Sequence, residues 1–297
     1  MPTFDSSFTG VLCPIVTPLA NDGGEVDEDA LSSLTEFILD GGVDGLFPCG
    51  TTGEFASLTP KERSRVVETV EQAAGDAPVI AGAAGTSVPE TLDRIDEAAA
   101  AGADAAAIVG PYFHTANAPA GTRRFFEAIA EETALPLYLY NIPMYVGDEI
   151  PAEAVGALAE RESVRGMKDT SGDLSYFLSV DRQTPEEFVL FQGFDTLLVP
   201  ALRMGSSGGV HALANVIPEV FAELLETADA ERGSTLQREA VAPLFELCVE
   251  YGFAPATKAA LVHRDVIPSD EVRPPLVALD ESQKAEIGEA VDRALSI

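Results

Sequence analysis

Basic residues are scarce in this chain. Its 297 residues include 18 lysines and arginines against 49 aspartates and glutamates, a formal net charge of −31. Lysine occurs only as Lys61, Lys168, Lys258 and Lys284. So acidic a surface repels nucleic acid and anionic membrane, which argues against both as partners. The acids are spread along helix-like faces rather than gathered in a tail, so they do not mark a disordered segment. They fit a protein adapted to high salt, where screening suppresses self-repulsion. Apolar runs of membrane-spanning length are missing, and so is a basic, apolar leader at the N-terminus. The expectation is a cytoplasmic protein. Cysteine is rare: Cys13, Cys49 and Cys248 lack metal-ligand spacing, and the first two lie in strand-like runs as small buried residues. His114, His211 and His263 are scattered, so no histidine metal cluster is expected. No Gly-Lys-Ser/Thr phosphate loop is present, and Gly205–Gly209 lacks the spacing of a nucleophile elbow.

Short apolar runs alternate with longer amphipathic ones. The strand-like runs are 10–17, 45–49, 79–83, 105–109, 135–140, 164–168, 188–191 and 208–212. Helices are expected from about Asp27 to Leu39, from Thr59-Pro60, after Ser87-Val88-Pro89, around Phe125, Phe126 and Ile129, and around Leu197, Leu198 and Leu202. Others are expected from Pro218 to Ala228, Thr235 to Tyr251, Ala254 to His263 and Glu281 to Leu295. Thr59, Pro60 and Glu62 form a capping-box pattern at one helix start. The strands are continuous hydrophobic runs rather than alternating ones, as in a parallel sheet covered on both faces. Eight strand–helix units predict an α/β protein, a (β/α)8 barrel with a C-terminal helical extension. No linker divides the chain. The barrel core is expected over residues 1–215, with the last barrel helix and the extension over 216–297, as one structural unit.

In such a barrel the chemistry sits at the C-terminal ends of the strands. The conspicuous polar residues fall there: Thr51 and Thr52 after the second strand, Tyr112 after the fourth, Tyr140 ending the fifth and Lys168 ending the sixth. An isolated strand-end lysine most often snorkels to water. Beside a tyrosine at the same level of the neighbouring strand, a buried amine becomes a nucleophile toward carbonyls and the phenol its proton shuttle. Asp169-Thr170-Ser171 then reads as a turn and helix cap. Gly50-Thr51-Thr52-Gly53-Glu54 reads either as a plain strand-to-helix turn or as an anion cradle. In the cradle, glycines let backbone N–H groups converge and two hydroxyls add donors suited to a small carboxylate.

Three blocks, Gly50–Glu54, Tyr140-Asn141-Ile142-Pro143 and Gly166-Met167-Lys168-Asp169-Thr170, resemble the N-acetylneuraminate lyase/dihydrodipicolinate synthase family of Schiff-base aldolases, over essentially the whole chain. The resemblance implies that Lys168 forms an imine with pyruvate or another 2-keto acid and that Tyr140 relays protons. It implies that Thr51 and Thr52 bind the carboxylate, and that Gly193 and Val210 line the pocket. The protonated imine is the electron sink, so neither metal nor organic cofactor is implied. A homotetramer built from dimers is implied, with the Tyr112-Phe113 loop at a subunit contact.

Two departures bear on the second substrate. Tyr145 stands where the synthases usually carry an arginine for that substrate's carboxylate, and a phenol cannot make the bidentate contact. Phe113 stands where they carry a relay tyrosine, so either the relay differs or Tyr112 serves. Met167–Thr170 and Val272-Arg273-Pro274-Pro275-Leu276 resemble the archaeal 2-keto-3-deoxygluconate aldolases. The expectation is therefore cleavage of 2-keto-3-deoxygluconate to pyruvate and glyceraldehyde, with the non-phosphorylated sugar acid preferred because the loop after Phe113 has no base before Arg123. The alternatives are synthesis of 4-hydroxy-tetrahydrodipicolinate from pyruvate and aspartate semialdehyde, dehydration of a 2-keto-3-deoxy sugar acid, and a non-catalytic barrel that binds a keto acid.

Overall fold

The computed structural model describes residues 8–20 and 23–297. The N-terminal residues 1–7, where a leader was sought, lie outside that range. Eight parallel strands form one sheet: β1 Gly10–Cys13, β4 Gly45–Leu46, β5 Ile80–Gly82, β6 Ala105–Val109, β7 Leu137–Asn141, β8 Val164–Asp169, β9 Val189–Gln192 and β10 Gly208–Val210. Their spatial order is β4-β1-β10-β9-β8-β7-β6-β5, and a parallel bridge between Leu46 and Val79 joins the two ends. This is the expected (β/α)8 barrel. A small antiparallel pair, β2 Leu19–Ala20 with β3 Glu25–Val26, was not foreseen.

The helices are α1 Glu28–Asp40, α2 Pro60–Ala74, α3 Val88–Ala100, α4 Pro119–Glu132, α5 Pro143–Val146, α6 Ala152–Ala159, α7 Leu174–Asp181, α8 Leu198–Arg203, α9 Pro218–Thr227, α10 Glu231–Leu236, α11 Ala242–Tyr251, α12 Phe253–His263 and α13 Glu281–Leu295. Their starts follow local chemistry. The Asp27 side chain caps α1, and Ser87 caps α3. Thr59 and Glu62 make a reciprocal capping box on α2, with Pro60 in its first turn. No helix among the described residues is long and apolar enough to cross a membrane.

Side-chain alternation sorts each strand between two cores. Leu137 and Leu139 face the helices, while Tyr138 and Tyr140 face the lumen with Leu12, Phe47 and Phe191. Tyr138 and Phe191 stack there, ring centroids 6.1 Å apart. A Cβ on Gly166 would come 2.6 Å from Tyr138 Cε1, so the packed lumen admits only glycine at that level.

Several boundaries differ from expectation. The run 10–17 is a strand only to Cys13, because Pro14 has no N–H to continue the ladder. Asp169 is the last residue of β8, paired with Gln192, rather than part of a cap. The cap of α7 is Asp173, which accepts from Ser175 N at 2.7 Å. The helix expected from Thr235 begins at Glu231 and passes through a π-turn at Gln237–Val241 before α11. Pro243 lies just beyond that turn, and a proline supplies no N–H to a regular α ladder.

Candidate active site

β7 and β8 run in register, with Tyr140 opposite Lys168 and Asn141 opposite Asp169. The register puts the Lys168 amine beside the Tyr140 hydroxyl, Nζ to Oη 3.2 Å. Lys168 is 7% exposed, and its ammonium also stands 4.3 Å from the Tyr140 ring centroid and 5.2 Å from that of Phe47. Among the described residues these faces hold the amine without a carboxylate partner, and an aromatic face attracts a cation less strongly than a carboxylate does. An amine and a phenolic hydroxyl thus meet in a buried cup open at one end.

That end is a cleft at the C-terminal mouth of the barrel. Thr51, Thr52, Tyr140, Tyr145, Lys168, Gly193 and Val210 all line it. Tyr112 does not, and neither does Phe113. Tyr112 lines a neighbouring cavity, which shares Thr51, Ile142 and Tyr145 with the cleft. Burial raises the Tyr112 pKa. Phe113 is 86% exposed and sits at φ +68°.

The cradle is a tight turn. Glu54 N–H donates to Thr51 O at 3.1 Å, and Thr17 Oγ1 donates to Gly53 O at 2.8 Å. Gly53 must be glycine, since a Cβ would fall 2.8 Å from Ile15 O. Gly193 has a chemical reason too: a Cβ there would lie 2.8 Å from Lys168 Cε and 2.1 Å from Thr170 Oγ1. Its bare backbone keeps a path open to the amine.

Several further residues of the cleft stand inside the sequence motifs without an assigned role, or outside them altogether. Thr170 lines the cleft, and its buried Oγ1 has no hydrogen-bond partner among the described residues. Its position two residues after Lys168 was the available signal. Asp195 lines the cleft from beyond β9, and its Oδ1 accepts from Leu213 N at 2.8 Å. Phe245, Val249 and Phe253, from the C-terminal helices, form an apolar outer wall that no local pattern announced. Among the described residues, Lys168 is the only cationic side chain that lines the cleft. No group of three His, Cys, Asp or Glu side chains among the described residues could hold a metal ion.

Known proteins are similar to this one over nearly the full chain. The 4-hydroxy-tetrahydrodipicolinate synthase of Syntrophus aciditrophicus is 35% identical over 284 residues, covering 94% of this chain and 96% of the relative. An uncharacterized DapA-like lyase of Halobacterium salinarum is 34% identical over 281 residues, covering 94% and 91%. The crystal structure of YagE, an E. coli K12 prophage protein in complex with pyruvate, superposes with a TM-score of 0.91 at 28% identity, covering 97% of this chain and 99% of that one. The profile of the dihydrodipicolinate synthetase family matches residues 7–294, and the chain belongs to that family.

Proposed function

We propose that this protein is a pyruvate-dependent class I aldolase whose nucleophile is Lys168. The 3.2 Å contact between Lys168 Nζ and Tyr140 Oη in a buried cup carries the reading. The amine adds to C2 of the keto acid; one proton from the adding nitrogen and one from Tyr140 convert the C2 oxygen to water, which leaves as the protonated C=N bond forms. The imine nitrogen then accepts the electron pair released at C3, which makes carbon–carbon cleavage and condensation two directions of one path. Thr51 and Thr52 hold the carboxylate, and Gly193 and Val210 bound the pyruvate half of the cleft. Borohydride reduction in the presence of pyruvate tests this: a stable adduct on Lys168, lost in Lys168→Ala, is expected. An unmodified wild-type lysine would refute it.

The second substrate has two readings. The relatives named 4-hydroxy-tetrahydrodipicolinate synthase support condensation of pyruvate with aspartate semialdehyde, and by kinship this is the better supported. Cleavage of 2-keto-3-deoxygluconate is favoured by one observation. Among the described residues no guanidinium lines the cleft to receive a second carboxylate, and Tyr145 occupies its mouth, 61% exposed. Paired assays in concentrated potassium chloride separate the two readings. Turnover of the semialdehyde alone establishes the synthase; release of pyruvate from the sugar acid alone establishes the catabolic aldolase. A homotetramer is part of the proposal, and sedimentation in the same salt measures it.

A further inference from the structure

A second lysine is more deeply buried than the nucleophile. Lys258, on α12, is 0% exposed, and its ammonium donates to Glu54 Oε1 and, at 2.7 Å, to Glu271 O. Glu54 is the last residue of the Gly50–Glu54 turn and is itself buried. Its other oxygen, Oε2, accepts the Arg273 backbone N–H at 3.1 Å. The Arg273 guanidinium continues the chain of contacts. It donates to Gly23 O at 2.8 Å, to Ser57 O at 2.9 Å and to Glu62 Oε1 at 2.6 Å. One carboxylate thus ties the strand-end turn to the C-terminal helices.

Stability alone is a weak reason for such a pair. A buried ion pair recovers little more than its desolvation cost, and packed apolar side chains of similar volume often serve as well. What an ion pair adds is direction. Glu54 has φ +56°, a left-handed conformation that a non-glycine residue keeps only when its surroundings impose it. Its backbone N–H closes the turn onto Thr51 O, so the orientation of Glu54 and the placing of Thr51 and Thr52 are one geometric problem. Thr17 holds the turn from one side at Gly53 O, and Lys258 holds it from the other at the Glu54 carboxylate.

We propose that Lys258 is a positioning residue for the carboxylate cradle: through Glu54 it fixes Thr51 and Thr52 where the keto-acid carboxylate docks. This rests on the reading of Lys168 and the two threonines given above.

The test compares two ketones on the same protein. Pyruvate uses the cradle; acetone, with a methyl group in place of the carboxylate, does not. Borohydride trapping on Lys168 is titrated with each ketone in wild type, Lys258→Met and Glu54→Gln, with Thr51→Val as the reference for a damaged cradle. In the two clamp variants the half-saturating pyruvate concentration is expected to rise about tenfold, as for lost ground-state binding, and that for acetone to change less than about twofold. Loss of folded protein lowers the amount trapped but leaves both half-saturation concentrations unchanged. If Lys258→Met does not fold, Glu54→Gln decides by the same ratio. Parallel shifts for the two ketones, or none, overturn the proposal while the Schiff-base reading stands. Failure of the wild type to trap either ketone overturns that reading, and the proposal with it.

Discussion

Asn141 and Asp169 meet one residue beyond Tyr140 and Lys168, Asn141 Nδ2 donating to Asp169 Oδ1 at 2.8 Å, with neither residue exposed. Asn141 Oδ1 accepts from Ile150 N at 3.0 Å, while Asp169 accepts from Ser171 N at 3.1 Å and from Ser171 Oγ at 2.9 Å. Burial raises the Asp169 pKa, and the bonds from Asn141 and Ser171 pull against that rise. The pair pins the ends of β7 and β8 at the level where Tyr140 must face Lys168. Asn141→Leu would leave the Ile150 N–H without its partner and the carboxylate short of one donor. A loss of about 3 kcal/mol is expected, the sum of two unsatisfied buried groups. Urea denaturation measures it, and an unchanged midpoint would show that the pair does not hold the strands.

Tyr140→Phe keeps the ring and its packing against Phe47, whose centroid is 6.1 Å away, and removes the hydroxyl. A fall in kcat of about 10²- to 10⁴-fold is expected, the usual span for a lost general acid–base group. The borohydride adduct on Lys168 should still form, more slowly. Full turnover in the variant would move the proton relay to another group.

Glu62 joins α2 to the C-terminal segment. Its hydrogen bond from Arg273, helped by those from Thr59, lowers the Glu62 pKa from 4.5 to about 2. A carboxylate with a depressed folded-state pKa adds stability at pH values above its unfolded pKa, and that stability is lost as the pH falls through the folded value. Wild type should therefore exceed Glu62→Gln in stability above about pH 4.5, with the gap closing between about pH 4.5 and 2. Thermal midpoints taken across this range test it; a gap constant with pH contradicts the assignment.

The net charge of −31 predicts a response to salt. At about 0.1 M ionic strength charges interact over roughly 10 Å, and at about 1 M over roughly 3 Å. The thermal midpoint should rise as potassium chloride is raised from about 0.1 M to 2 M, as repulsion among acids is screened. A flat or falling midpoint would remove the argument for adaptation to high salt.

The sequence and the structure agree most where local chemistry sets the outcome. α13 runs from Glu281 to Leu295 as its periodicity indicates, and the Thr59–Glu62 capping box forms as spelled. β6 has the expected limits, Ala105–Val109. The residues at the strand ends were legible for the same reason: a parallel barrel gathers those ends at one mouth. Other features were not legible, and each has a physical cause. β10 is only Gly208–Val210, because ladder pairing rather than hydrophobicity ends a strand. Tyr112 belongs to a second cavity, which depends on how the loop after β6 turns and on no residue pattern. Lys258 meets Glu54 across 204 residues, and a single sequence carries no trace of that contact.

Cys13, Cys49 and Cys248 are all buried, and burial pushes the Cys49 thiol up to about 12. The Cys13 and Cys248 thiols are likewise raised by burial. The folded molecule therefore offers no ready thiolate to a maleimide, and the chain contains no tryptophan to compete in fluorescence. A single cysteine placed at Val277, 77% exposed, would accept a dye as the molecule's sole label. The native protein is, in effect, already its own blank for site-directed spectroscopy.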